Sequence, residues 1–407
     1  MPEPVASVRM RTIIRIPEFR ALWVAEAQSL LGDQLARVAL AVLAYGETGS
    51  PAITGLIYAL TFLPAIVGGA TLSVLADRLP RRTLMICCDL IRAALLVVMA
   101  IPHLPLAVVC CLLVVVVLVG RPFAAAQIAL LRHVLAGDTF VVGSGLRMIT
   151  DQLAQLIGFA AGGLVVAAIG ARPALVLDAA TFALSATILR LAVTGSPAVT
   201  ASGHGVAGQG TDHSPRTAFG LIFRNTQRRT LLGFGCLAAF HVVPEGVAPA
   251  YADALKSGAA AVGLLMSALP LGTVIGTLAL VRLLPARRTR LVAPLALATA
   301  VPLVACAPQP GLVASIALWT ASGVFAAYQV VASAAFVSSI PDHQRGRAVG
   351  LASSAVIATQ GIGLVGFGFI ADQWGAAKAI AFAGVIAFLL ATPMALSWRR
   401  SNRMSHA

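Results

Sequence analysis

Glu26, Asp33 and Arg37 are separated by seven and four residues inside an apolar run that extends over residues 19–45. In a helix this spacing puts all three on one stripe. A charge at mid-bilayer costs roughly 2.5–3.5 kcal/mol on insertion scales, so such a stripe has to face protein or a wet cavity. Asp33, near the centre of the run, supports two readings. Desolvation favours its neutral form and Arg37 its charged form, a balance suited to a proton-loading site. Alternatively the two form a static pair that fixes helix packing. A second set is His241 and Glu245, one helical turn apart, with Pro244 between them and Pro249 beyond. Prolines free backbone carbonyls where a membrane helix lines a cavity, and histidine exchanges protons near neutral pH. This pair reads either as a proton relay or as a packing hydrogen bond at a kink. A third set, Asp77, Arg78, Arg81 and Arg82, crowds a short connection between two long apolar runs. Anchoring by positive charge would explain the arginines but would not require the aspartate.

The chain that must position these groups is 59% hydrophobic and 11% charged over 407 residues. Soluble domains average about 25% charged. A mean hydropathy of +0.91 over the whole length implies repeated spanning segments. The net charge of +14 comes from 27 arginines and two lysines scattered through short loops, and no clustered basic surface for nucleic acid emerges. All six cysteines fall in apolar runs without C-x-x-C spacing, which predicts small buried hydrophobes and neither disulfides nor a metal site. The first apolar run continues past signal-peptide length and lacks a small-residue cleavage site.

A spanning helix needs about 20 apolar residues. Twelve candidates follow: 19–45, 52–75, 83–102, 105–131, 140–168, 173–193, 230–252, 259–283, 291–307, 311–338, 346–371 and 375–397. Residues 194–229 are rich in Gly, Ser, Thr and Pro and then basic, and read as a linker. With the N-terminus inside, 22 of the 29 Lys and Arg residues fall on the cytoplasmic side. Arg172, Lys256 and Lys378 fall opposite, and Arg37, Arg92, Arg121 and Arg147 lie within spans. This bias sets orientation. A shift of 205 residues aligns Gly145-Leu146 with Gly350-Leu351, Gln155 with Gln360, Ile157-Gly158 with Ile362-Gly363, and Gly170-Ala171 with Gly375-Ala376. The halves are therefore internal repeats.

The loop Ser73 to Arg82 resembles the signature G-x-L-x-D-R-x-G-R-R between the second and third helices of the major facilitator superfamily. Asp77, Arg78, Arg81 and Arg82 match it, and Ser73 and Pro80 replace its glycines. Phe19-Arg20-Ala21-Leu22-Trp23, Leu31-Gly32-Asp33-Gln34, Arg121-Pro122-Phe123-Ala124-Ala125-Ala126 and Pro341-Asp342-His343-Gln344-Arg345-Gly346-Arg347 resemble one branch. That branch is the drug:proton antiporter-3 and siderophore-exporter-like group. Its fifth-helix signature G-P-x-x-G-G is represented by Gly158-Phe159-Ala160-Ala161-Gly162-Gly163, with phenylalanine in place of proline.

The resemblance implies an all-α membrane protein with twelve transmembrane helices in two pseudo-symmetric six-helix bundles, residues 1–193 and 230–407. It implies a non-enzymatic secondary transporter of the cytoplasmic membrane, both termini cytoplasmic, monomeric, and without cofactor or metal. It would export a small amphipathic compound, such as a drug, siderophore or secondary metabolite, in exchange for protons by alternating access. An uptake permease of the same fold is the alternative, and a non-transporting membrane sensor or scaffold comes third. No ATP-binding loop is recognisable, which leaves a gradient as the energy source. The expected partners are lipid, the substrate and protons, and not nucleic acid. Asp33, Glu245, Glu26 and His241 are the proton-coupling candidates. Arg121 stands where the family has an embedded arginine linked to coupling, and with Arg37 it could also face an anionic substrate. Tyr328, Gln329 and Ser333 could contact substrate or bridge helices. Asp89 with Arg92 and Arg147 with Asp151 have helical neighbour spacing and read as structural pairs, and Asp178 reads as structural too. Asp77 would latch the cytoplasmic side near the positive N-terminal end of helix eleven.

The charge count makes a topology prediction. A reporter fused after Arg403, or inserted near Gly208, should behave as cytoplasmic, and one at Gly49 as external. The reverse pattern in a reporter assay would overturn the orientation.

Overall fold

The computed structural model describes residues 13–72, 74–135, 138–193 and 215–404, and among them every regular element is an α-helix. The first half contains α1 (Pro17–Thr48), α2 (Pro51–Leu60), α3 (Pro64–Thr71), the single turn α4 (Leu75–Arg78), α5 (Arg81–Met99), α6 (Leu106–Val134), α7 (Asp138–Ile169) and α8 (Ala171–Ala192). Then come α9 (Pro215–Phe223), α10 (Thr226–Cys236), α11 (Ala238–His241), α12 (Val243–Ala254), α13 (Ala259–Val281), α14 (Pro285–Ala298), α15 (Ala300–Val304), α16 (Leu312–Ala326), α17 (Tyr328–Ser338), α18 (Asp342–Trp374) and α19 (Ala376–Met404). Each of the twelve expected spans has its helical counterpart, several built from two or three consecutive pieces. Of the expected linker, residues 194–214 lie outside the described residues, and 215–223 and 226–236 are helical.

Local chemistry explains the boundaries. The Ser50 hydroxyl accepts from the Ile53 N–H ahead of Pro51, and the Asn225 side chain accepts from Arg228 N–H, so both helices start on a side-chain cap. Gly170 and Gly375 end α7 and α18 with φ of +87° and +85°, a region open to glycine at little cost. They are the aligned pair of the repeat, and their N–H groups bond to Val166 and Ala371 at 2.9 Å each. The repeat is thus a repeat of backbone conformation as well as of sequence.

Nine stretches among the described residues are long and apolar enough to cross a membrane on composition alone. The stretches outside that set include α1 and α5, which carry the intramembrane charges Glu26, Asp33, Arg37, Asp89 and Arg92. The helices wear an apolar coat, with Val313 81% and Leu191 80% exposed. In water such a surface would aggregate, and in a bilayer it is the natural outer face. Cys88 and Cys306 are buried as expected, whereas Cys87 and Cys111 are exposed on this coat.

Contacts divide the chain into two compact units, one of residues Met1–Ala39 with Pro64–Ala207 and the other of Leu40–Leu63 with Gly208–Ala407. The stretch 40–63, which belongs by sequence to the first bundle, therefore packs with the second unit. In the first unit α1 lies against α7 through Gly158 and Gly162. A methyl added at Gly158 would stand 2.6 Å from Gln34 Cβ, and one at Gly162 3.1 Å from Leu35 Cα. In the second unit Gly363, the repeat of Gly158, brings α18 onto Ala239, where a methyl would stand 2.5 Å from the carbonyl oxygen. The closest seam joins α13 to α16. Methyls at Gly272, Gly276 and Gly323 would overlap the carbonyl oxygens of Thr320, Val324 and Leu269.

Gly323→Ala should therefore destabilise the second unit by about 3 kcal/mol or more, because backbone and not a flexible side chain obstructs the methyl. Gly366→Ala, where nothing lies within 4 Å, should leave the melting temperature of the purified protein unchanged. Equal melting of the two variants would refute the seam.

Candidate functional site

The intramembrane charges gather in the first unit. Arg147 on α7 makes a two-pronged ion pair with Glu26 on α1 through Nε and a terminal nitrogen, and bonds Gln127 Oε1 on α6 at 3.0 Å. Three helices are fixed by one guanidinium, whose planar fork suits the carboxylate. The expected partner of Arg147, Asp151 on its own helix, is not the one it takes. On α5, Arg92 pairs with Asp89 as its i,i+3 spacing predicts. Its guanidinium also lies 4.7 Å from the Phe123 ring centroid and 4.0 Å from that of Phe182. Two aromatic faces thus stabilise a nearly buried cation.

Asp33 is treated differently. It sits on α1, half-buried, and makes no hydrogen bond or ion pair among the described residues. Arg92, Arg37, Arg121 and Asp151 all lie within electrostatic reach of it. The static Asp33–Arg37 pair is not formed: Arg37 donates to Gln34 Oε1 at 3.2 Å. Arg121 on α6 lays its stem over Gly68, where a methyl would stand 2.7 Å from Arg121 Cγ, and its Nε is buried without a partner. Gly32, next to Asp33, has no room for a side chain because Asp178 and Thr181 of α8 press on it. Thr181 donates to Asp178 Oδ1 at 3.1 Å, in keeping with a structural Asp178, and Gln28 reaches the Thr181 carbonyl at 2.8 Å. The site is therefore an acid held close to several guanidiniums and bonded to none.

At its helix breaks the second unit uses neutral groups. His241 ends α11, Thr299 stands between α14 and α15, and Gln329 opens α17 after the break at Ala327. His241 Nε2 lies 3.0 Å from Thr299 Oγ1 and its Nδ1 lies 2.9 Å from Gln329 Nε2. Thr299 donates to the Ala296 carbonyl at 2.8 Å. Its hydroxyl therefore accepts from His241, which assigns the neutral Nε2–H tautomer and aims the Gln329 amide at Nδ1. The anticipated His241–Glu245 contact does not occur. The helix breaks at Val242 between them, and Glu245, also buried, accepts instead from the Tyr58 hydroxyl on α2.

Among the candidates of the expected span 311–338, Tyr328 is fully buried and donates to the Phe234 carbonyl at 2.9 Å, so it and Gln329 bridge helices, and Ser333 is exposed. Tyr58, Gln127 and Thr299 went unnoticed in the sequence. Each is an isolated polar residue in an apolar run, and only that isolation marked it. In the loop, Arg81 bonds the Ala129 carbonyl at 3.3 Å, and Arg82 bonds the Leu189 carbonyl at 3.3 Å and that of Arg190. They hold α5 to α6 and to the last turn of α8, where the Leu189 and Arg190 carbonyls lack helical partners. Arg78 is exposed, and the side chain of Asp77 lies outside the described residues, as does that of Asp342 at the start of α18.

Comparison with known proteins places this geometry. The family model described as Major Facilitator Superfamily matches residues 22–307 and 231–406. An uncharacterized MFS-type transporter, YkuC, of Bacillus subtilis (strain 168) is 27% identical over 183 residues, covering 44% of this chain and 42% of that protein. The match thus spans less than half the length of this relative. A bacterial homolog of the human lysosomal transporter Spinster, in an inward-facing and unoccupied conformation, has a TM-score of 0.72 at 14% identity, covering 95% of this chain and 97% of that one. The nucleoside transporter NupG gives 0.68 at 16% identity over 93% and 98%. A D-xylose-proton symporter gives 0.68 at 13% over 92% and 96%. At such identities the likeness is one of fold, and the fold is the one expected from the sequence.

The cross-helix pair gives a stability prediction. Glu26→Gln strands the Arg147 guanidinium and should cost about 3 kcal/mol, read as a lowered melting temperature in detergent. Glu26→Met combined with Arg147→Met should recover most of that loss. A double variant as unstable as the single one would show that the pair is not the source.

Proposed function

This chain belongs to the Major Facilitator Superfamily, a multi-pass membrane transporter, and we propose that it exports a small amphipathic compound in exchange for protons, with Asp33 carrying the exchanged proton. The observation that supports this reading is the carboxylate of Asp33, which is near Arg37, Arg92 and Arg121 and bonded to none of them. An exchanging acid has to be charged in one state and neutral in another. A carboxylate locked in a salt bridge resists that change, because protonation leaves its partner buried and uncompensated. Glu26 and Asp89 are locked in this way, and Asp33 is not. A small change in its hydration or in the distance to a guanidinium is enough, since one pKa unit is about 1.36 kcal/mol. Arg37 and Arg121 then tune the acid, and Glu245, held by Tyr58, is the acid of the second unit. Export in preference to uptake rests on the exporter-like residues of the expected spans 19–45, 105–131 and 140–168. The Arg78, Arg81 and Arg82 loop, with Asp77, would face the cytoplasm and act as its gate, with both termini on the same side of the cytoplasmic membrane.

Asp33→Asn in inverted vesicles should abolish proton-driven substrate movement while substrate exchange down its own gradient persists. Glu26→Gln should lower stability and leave the coupling of the remaining folded protein intact. Proton-driven transport that survives Asp33→Asn would remove Asp33 from this role and transfer it to Glu245.

A further inference from the structure

One end of the second unit collects exposed guanidiniums. Arg229 lies near the start of α10, Arg287 and Arg290 lie in the first turns of α14, and Arg399 and Arg400 lie near the end of α19. Two side-chain bonds bring these three helix ends together. Thr230 Oγ1 lies 3.2 Å from Ser397 Oγ, and Trp398 Nε1 donates to the Thr289 carbonyl at 3.3 Å. Every one of the five arginines is therefore within two residues of a bonded clamp. All five are exposed, and none has an ion-pair partner among the described residues. Helices α10, α14, α15 and α19 contain no acidic residue at all. Their neighbours Arg228 and Arg288 are committed to backbone, the first to the Leu221 and Ser339 carbonyls and the second to those of Leu283 and Val281. The five are thus a charge surplus that the fold itself does not use.

The same helices carry an apolar groove. It lies between α15 and α19, has a volume of about 240 Å³, and is lined by Ala300, Val301, Val304, Val385, Phe388 and Leu389. Leu389 precedes Arg399 by ten residues on one helix, roughly 15 Å along the axis. Arg290 precedes Val301 by eleven along the neighbouring α14 and α15. A cationic rim and an apolar channel therefore share one helix pair, separated by about the distance from a phospholipid phosphate to the middle of its acyl chain. Basic pockets between helices recognise anionic headgroups.

We propose that this end of the second unit binds an anionic phospholipid, with its phosphate against Arg290 and Arg399 and one acyl chain in the α15–α19 groove. Phosphate alone would use the rim and ignore the groove. A zwitterionic lipid would use the groove without gaining from the rim. The lipid that satisfies both halves is anionic.

The test is lipid binding to the purified full-length protein, measured by native mass spectrometry with phosphatidylglycerol and phosphatidylcholine of the same acyl chains. Phosphatidylglycerol should bind more tightly. Arg290→Gln with Arg399→Gln should weaken it by about thirtyfold and leave phosphatidylcholine unchanged. Val301→Trp, which fills the groove, should weaken both lipids. Arg290→Lys with Arg399→Lys keeps the charge and should retain the preference, which separates loss of charge from loss of fold. Equal affinity for the two lipids in the wild type would overturn the proposal. So would a lipid preference that survives both arginine-to-glutamine changes, or displacement of phosphatidylglycerol by equimolar inorganic phosphate.

Discussion

A charge placed among apolar helices must find its counterpart within the protein, and the first unit is arranged around that requirement. The Glu26–Arg147 pair answers it most fully. It joins α1 to α7, and through Gln127 it also holds α6. Arg92 answers it with one carboxylate and two aromatic faces. These pairs are costly to form in a low-dielectric setting, and their value lies in what they exclude. Once they exist, few other registers of the helices leave no charge stranded. Asp33 is left beside them with neighbours but no bond, while Glu26 and Asp89 are each committed to an arginine.

The two halves share a backbone and differ in chemistry. The residues 205 positions beyond Glu26, Asp33, Arg37, Arg92 and Arg121 are Leu231, Ala238, Val242, Leu297 and Ala326. All are apolar. Where the first unit has ion pairs, the second has His241, Thr299 and Gln329, each located at a break in a helix. Broken helices expose carbonyls that need donors, and Thr299 supplies one to Ala296. The repeat preserves what glycine does for packing, as Gly158 and Gly363 or Gly170 and Gly375 demonstrate, because that depends on backbone alone. It does not preserve the charges.

Much of the fold was legible because hydropathy and turn residues are local signals. The twelve spans, the Gly170 and Gly375 stops and the Asp89–Arg92 pair all follow from residues near one another in sequence. The site was legible in its membership and not in its pairing. Spacing on one helix suggested Asp33 with Arg37, Arg147 with Asp151, and His241 with Glu245. The structure gives Arg37 to Gln34, Arg147 to Glu26, and Glu245 to Tyr58. In two of the three cases the true partner comes from another helix, where sequence spacing carries no information. In the third, Gln34 lies on the same helix as Arg37, three residues before it, where spacing offers Arg37 both Gln34 and Asp33 and cannot choose between them.

The seam between α13 and α16 has a mechanical meaning. Gly272, Gly276 and Gly323 bring two backbones so close that a shift of one residue along either helix would drive a side chain into a carbonyl. Two smooth rods can slide; these two are keyed together and can only be carried. Bending in the second unit is thereby directed to where helices are already interrupted, at Val242, Thr299 and Ala327. These are the joints that His241, Thr299 and Gln329 fasten, so a rigid spar and a bonded knuckle divide the labour of stiffness and compliance.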